Sequence, residues 1–458
     1  MSGALGLAEL FGRRRLRIGV TGLARSGKTA FLTSTAANLI AQGSGIPALP
    51  AVAARLAGRT MRVGIAPSGA DEVPRFDYQA HLAALAADPP RWPERTGAVS
   101  LLALDLDVSR EGLGAILPER GLRLELLDYP GEWLLDLPLL GQDFARWSEG
   151  ALRRLETADA APLSRDFLAF VRGLPASAPA DETLAATGHT LYRTALRRLR
   201  DEAGLSFLQP GRFLMPAPGP EPPFARFFPL VGRGGLASLL SARFEAYRQA
   251  VTRELVSPLF GQVDRLVVLA DVLSALHAGA AAFADMTAAL SNVAEALRWR
   301  RSWIDAIPFL RDLPLPSWLT PPGIRRVAFA ATKADHVAER QRGNLANLVR
   351  ALTRLPDDAA GATTAGFAIA SVCCTEDFVW TLEGRNISAV RGRVLGSDRM
   401  TRSYPGEVPD RPPDASFWAH PFLALPEFEP RHLPAAGRAG VPQIGLDSLL
   451  AFLLEDVL

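Results

Sequence analysis

The segment Gly22-Leu23-Ala24-Arg25-Ser26-Gly27-Lys28-Thr29 constrains the fold of this chain most. It matches G-x-x-x-x-G-K-[ST] at every fixed position. Such a loop works in one setting only. Its glycines let the backbone take positive φ and come close to a phosphate. Successive N–H groups and the N-terminus of a following helix then cradle the anion. Leu16 to Thr21 reads as the buried strand that must precede the loop, and apolar periodicity predicts a helix from about Lys28 to Ala41. The pattern thus assigns Ala24, Arg25, Ser26, Gly27, Lys28, Thr29 and Ala30 to nucleotide phosphate binding. Lys28 is expected to reach the β- and γ-phosphates and to serve catalysis, and Thr29 to ligate Mg²⁺.

Two further motifs belong to the same chemistry. Leu124-Glu125-Leu126-Leu127-Asp128 is an apolar strand ending in a carboxylate, and Asp128 to Gly131 spells D-x-x-G. Asp128 is expected to hold the metal through water, and the Gly131 amide to sense the γ-phosphate. Far downstream, an apolar strand from Arg326 to Ala331 runs into Thr332-Lys333-Ala334-Asp335, an instance of [NT]-K-x-D. A carboxylate at Asp335 can accept from both N1–H and the 2-amino group of guanine, whereas adenine would leave it mismatched in a buried site. Thr332, Lys333 and Asp335 are therefore read as the guanine reader. The loop after the next strand, Ala370, Ser371 and Val372, is expected to offer backbone N–H to the base. Lys28 and Lys333 are the only two lysines in the chain. A compact ammonium or a slim stem is thus kept at these two motifs, while every other basic side chain is arginine.

Strands at Val99 to Val108 and Leu122 to Leu127 leave no room for a crossover helix, so they must pair antiparallel. Thr96, just before that pair, stands where a switch threonine would complete the Mg²⁺ shell and take part in catalysis. From Trp133 to about Phe260 amphipathic helical patterns dominate, and strand character returns at Asp264 to Ala270, Arg325 to Ala331 and Gly366 to Val372. The expected fold is α/β: a Ras-like P-loop NTPase with a mostly parallel sheet, one antiparallel strand, and an inserted, mainly α-helical domain. The expected boundaries are 14–132 and 261–374 for the nucleotide domain and 133–260 for the insertion. An extension over 375–458 holds a hairpin (Phe378 to Leu382, Ile387 to Val394) and a last helix, Leu446 to Leu454, packing on the nucleotide domain.

Composition narrows the alternatives. The net charge is +2 over 458 residues with 21% charged, which gives no field for nucleic acid. The basic run Arg13-Arg14-Arg15-Leu16-Arg17 reads as a solvated arm, compatible with peripheral contact at the inner membrane. No secretory pattern is visible, and the most apolar window, Leu266 to Met286, carries Asp271, His277 and Asp285, against a spanning helix. The two cysteines, Cys373 and Cys374, are adjacent, which excludes a disulfide framework and a cysteine-rich zinc site. A cytoplasmic setting fits best.

These residues resemble the YcjX-type P-loop GTPases of bacteria. The likeness runs through nearly the whole chain in TGLARSGKTAFLTS, RWPERT, LLDYPGEWLLDLPLL, VVLADVLSALHAGAAAFADM, AATKADHV and IGLDSLLAFLLEDVL. It implies a Ras-like G domain of the translation-factor-related class, with a helical insertion and an association with bacterial stress response. The implied activity is slow, Mg²⁺-dependent hydrolysis of GTP to GDP and phosphate by a conformational switch, its unknown protein partner met through the insertion. One departure stands out. Most Ras-like proteins carry Gln directly after D-x-x-G to orient water, and this chain has Glu132. That keeps a second reading open, a scaffold that binds guanine nucleotide without turnover. A third, an ATP-using P-loop kinase, should lack the guanine reader.

Overall fold

A computed structural model describes residues 13–23, 25–67, 73–94, 99–109, 120–216, 219–256, 263–305, 324–353, 362–382, 384–397, 399–420, 422, 425–433 and 437–458. They divide into two compact units. The first holds a seven-stranded sheet: β1 (Arg14–Gly22), β2 (Met61–Ile65), β3 (Ser100–Val108), β4 (Arg120–Asp128), β5 (Arg265–Ala270), β6 (Arg326–Ala331) and β7 (Thr363–Ala368). Its order is β2-β3-β4-β1-β5-β6-β7. β1 pairs parallel with β4 and β5, and β5, β6 and β7 continue in parallel. β3 is antiparallel to both β2 and β4, so it alone runs against the rest. This is the α/β architecture with one reversed strand that the sequence predicts.

β5 is buried at all six positions and reads Arg-Leu-Val-Val-Leu-Ala, as a strand covered on both faces must. Its one charge, Arg265, is 1% exposed and meets the Asp456 carboxylate at 2.6 Å. Helix α1 (Lys28–Gly43) opens after Gly27, whose φ of +79° suits a residue without Cβ. It lays Phe31, Leu32, Ala36 and Leu39 in a core shared with Ile18, Val20, Leu124 and Leu126. Helix α2 (Pro50–Leu56) and helix α3 (Tyr78–Leu85) also feed this core through Val52 and Leu85. The last helix, Leu446–Leu454, adds Leu446, Leu449, Leu450 and Leu453, each worth roughly 1.5–3 kcal/mol when fully buried. A separate antiparallel sheet, β8 (Thr375–Leu382), β9 (Arg385–Arg393) and β10 (Met400–Ser403), extends the expected hairpin by a strand.

The second unit covers 130–262 and 278–321. It contains α4 (Gly131–Leu134), α5 (Phe144–Leu155), α6 (Arg165–Gly173), α7 (Glu182–Asp201) and α8 (Gly235–Val251). After α9 (Val272–Ala278), α10 (Ala280–Asp305) returns to this unit, a segment that the sequence reading gave to the nucleotide domain. Its core is aromatic: Trp147 stacks on Phe244 with centroids 5.0 Å apart and meets Phe227 edge-on at 5.4 Å. Among the described residues, no helix is long and apolar enough to cross a membrane.

Candidate nucleotide-binding site

The C-terminal ends of the parallel strands gather the predicted motifs. In the sheet register Val20 pairs with Asp128, and β5 and β6 end side by side at Ala270 and Ala331. After β1 the chain turns through Leu23, whose carbonyl accepts from the Ser26 amide at 3.1 Å. Arg25 takes φ +62° and Gly27 φ +79°, so two residues of this turn are left-handed. The Lys28 Nζ folds back to the Gly22 carbonyl at 3.2 Å. Gly22 itself has no room to spare: a Cβ there would stand 2.5 Å from Ser26 Oγ and 2.6 Å from the Leu269 carbonyl. Ser26 is 2% exposed, and its Oγ meets no partner among the described residues. A buried hydroxyl without a partner, in a loop of left-handed turns under a helix N-terminus, fits a site made for phosphate. Ala24 lies outside the described residues, and Ala30 is half-buried on the first turn of α1.

Asp128 is 1% exposed at the end of β4, and the Tyr129 amide donates to the Val20 carbonyl at 2.8 Å. That bond holds the acid beside the strand that delivers the loop. Thr29 sits in the first turn of α1, half-buried. Thr96 lies outside the described residues. Gly131 opens α4, which belongs to the second unit and carries Glu132, half-buried, and Trp133, 6% exposed.

The guanine-reader motif follows β6. The Thr332 amide donates to the Ala270 carbonyl at 2.9 Å, tying the loop to β5. Lys333 takes φ +59°, and its Nζ lies 2.5 Å from Asp271 Oδ2 and 3.4 Å from Ser274 Oγ. Asp271 in turn accepts from the Ser274 amide at 3.1 Å and hydroxyl at 2.6 Å. Asp335 is 2% exposed. Its Oδ1 faces His336 Nδ1 at 3.2 Å, and its Oδ2 accepts from the Cys374 amide at 2.8 Å and thiol at 2.9 Å. Burial pushes the Asp335 carboxyl up, but the bond and charge of His336 and the two Cys374 donors outweigh it and hold the group below its ordinary value of 3.8.

The segment expected to face the base is arranged differently from expectation. Ala370 exchanges backbone hydrogen bonds with Ile444, both at 2.9 Å, so its amide is spoken for. Ser371 and Val372 follow as a bend, half-buried and buried. It is the next stretch, Cys374 and Thr375, that reaches Asp335: the amide and thiol of the first bond its carboxylate, and the hydroxyl of the second bonds its carbonyl. Sequence reasoning missed Asp271, His336 and Cys374. Asp271 carried a legible signal, an acid closing an apolar strand just as Asp128 does.

The sheet order, the single reversed strand and the phosphate-type loop after β1 define a Ras-like P-loop α/β fold. The sequence matches the YcjX-like family, DUF463, over residues 16–458, and the chain belongs to that family. It is 35% identical to a protein of Escherichia coli K12 described as "Ras-like GTPase YcjX", over 97% of this chain and 96% of that one. A Shewanella oneidensis MR-1 protein of the same description is 32% identical over 97% and 95%.

Proposed function

We propose that this chain binds GTP and GDP with Mg²⁺, hydrolyses GTP to GDP and phosphate, and works as a conformational switch. The observation that carries the reading is the pairing of two sites at the C-terminal ends of one sheet's strands: the left-handed turn with its Ser26 hydroxyl, unpartnered among the described residues, after β1, and the buried Asp335 after β6. Residues 24–30 would hold the phosphates, Thr29, Asp128 and Thr96 the metal, and Lys28 the charge that grows on the transferred group. Thr332, Lys333 and Asp335 would read guanine, and the 370–375 stretch would flank the base. Mg²⁺, held by those residues, would supply neutralising charge at the phosphates; the chain's share is positioning and dipoles already in place. The helical unit, which begins where D-x-x-G ends, would present a partner surface that follows nucleotide state, in a setting such as the stress response of a cytoplasmic or peripherally membrane-bound protein.

The test is affinity for GTP, GDP and ATP with Mg²⁺ in wild type and Lys28→Ala. The reading expects a strong preference for guanine nucleotides and a loss in Lys28→Ala that is larger for GTP than for GDP. Equal affinity for ATP and GTP would sink it. Glu132 supports one other reading, a scaffold without turnover, and tight GTP binding with no phosphate release would establish that instead.

A further inference from the structure

Asp335, His336 and Cys374 bring one oxygen, one nitrogen and one sulfur donor within 4.8 Å of one another, all three residues buried. The atoms already touch in pairs: Asp335 Oδ1 to His336 Nδ1 at 3.2 Å, and Asp335 Oδ2 to Cys374 Sγ at 2.9 Å. A tetrahedral metal with bonds of about 2.0–2.3 Å spaces its ligand atoms roughly 3.3–3.6 Å apart, within the range these atoms span. Carboxylate, imidazole and thiolate together are the donor set of a borderline-soft divalent ion such as Zn²⁺, with a fourth position left open. Mg²⁺, which demands oxygen donors, is excluded from it.

The hydrogen bonds give this cluster a second meaning. A carboxylate offers about four lone-pair sites, two on each oxygen. The Cys374 amide and thiol fill both on Oδ2, and His336 takes one on Oδ1. Guanine needs one acceptor on each oxygen, so the thiol must leave Oδ2 for the base to be read. A metal would use the same vacancy, with the thiol proton lost to solvent and the imidazole carrying its proton on Nε2.

We propose that Asp335, His336 and Cys374 form a binding site for a thiophilic divalent cation of the Zn²⁺ type, and that its occupation and guanine-nucleotide binding exclude each other. This rests on Asp335 being the guanine reader. The site would make nucleotide loading answer to free zinc, separately from the Mg²⁺ requirement at Thr29 and Asp128.

The experiment uses the full chain in two arms. In the first, nucleotide-free protein is titrated with Co²⁺ and with Zn²⁺ against a chromophoric chelator. One equivalent is expected, with a near-ultraviolet thiolate-to-cobalt band that Cys374→Ser abolishes and Cys373→Ser keeps. In the second, affinity for a fluorescent GDP is measured in excess Mg²⁺ with and without Zn²⁺. Zinc at ten times its own Kd should weaken GDP binding by about tenfold in wild type by mass action, and leave Cys374→Ser unchanged. Absence of the cobalt band in wild type overturns the site without any variant. A band accompanied by undiminished GDP affinity overturns the exclusion, as does equal inhibition of Cys374→Ser. If wild type binds no guanine nucleotide in the absence of zinc, it is the proposed function that has failed, and the first arm still decides the metal.

Discussion

Two deeply buried aspartates, one in each unit, have their carboxyl groups shifted in opposite directions. Asp335, in the sheet unit, is held below its ordinary value. Asp136, in the helical unit, is 0% exposed and pushed up to about 6 by burial. Both accept several hydrogen bonds. Asp136 takes the Gly211 amide at 2.7 Å, the Tyr247 hydroxyl at 2.5 Å and, more weakly, the Arg212 amide at 3.4 Å. The difference lies in who donates. Asp335 has an imidazole against one oxygen, whereas the closest donors to Asp136 are a phenol and an amide. At Asp136 the phenol, the amides and the Arg212 charge offset only part of the cost of burial, whereas at Asp335 the imidazole and the Cys374 donors outweigh it. A carboxylate held below its ordinary value keeps its charge over the wider pH range, while Asp136, raised by burial, is bound wholly within its own fold.

The sharpest way to break this comparison is at the reader. Asp335→Asn should lower affinity for GDP by about two orders of magnitude or more and shift preference to xanthosine diphosphate, since the amide cannot accept twice from guanine. Undiminished GDP binding in a competition titration would remove Asp335 from its role. Next in size, Asp136→Ala leaves a phenol and an amide buried without an acceptor. Thermal or denaturant unfolding should record a loss of about 2–4 kcal/mol, with GDP affinity kept if Asp136 acts only within its own fold.

A pH series sharpens the contrast further. The folded protein holds the Asp136 proton more tightly than the unfolded chain does, so this group's contribution is complete below about pH 4 and lost as pH rises through about 6. His189, lowered to about 4 by burial, contributes in the opposite sense over much of this range. The informative quantity is therefore the difference between wild type and Asp136→Asn, which should change across pH 4 to 6 and stay level above it. For Asp335 the sign is reversed: its contribution is present above the ordinary carboxylate value and lost as acid protonates the group. The smallest effect is expected from Trp133→Phe. It removes the Nε1 bond to the Met215 carbonyl, 2.8 Å long, and should cost about 1 kcal/mol in the same unfolding assay, calibrating a neutral bond in the cluster around Asp136.

What the sequence discloses and what it hides follow from distance along the chain. The G-x-x-x-x-G-K-T loop, the acid ending β4 and the T-K-x-D motif are legible as motifs because each is a short run, and the structure sets all three at strand ends of one sheet. The sheet is legible because its central strands are nearly continuous apolar runs. Met61–Ile65 escaped notice as an edge strand of five residues with only its first position fully buried. The attachment of Cys374 to Asp335, 39 positions apart, has no local signature, nor has the bond that occupies the Ala370 amide from Ile444. The sequence boundaries put α10 with the nucleotide domain; its membership of the helical unit is decided by packing that no periodicity encodes.

The sheet order also sets a timetable for synthesis. β1 is the central strand, with β4 on one side and β5 on the other, yet every residue of 130–262 emerges between those two neighbours. While 130–262 are being made, the β5 side of β1 stands as an unpaired edge of apolar strand, the kind of template on which chains join one another. Because 278–321 also belong to the helical unit and precede β6, the candidate nucleotide site can be completed only after both segments of that unit have been made.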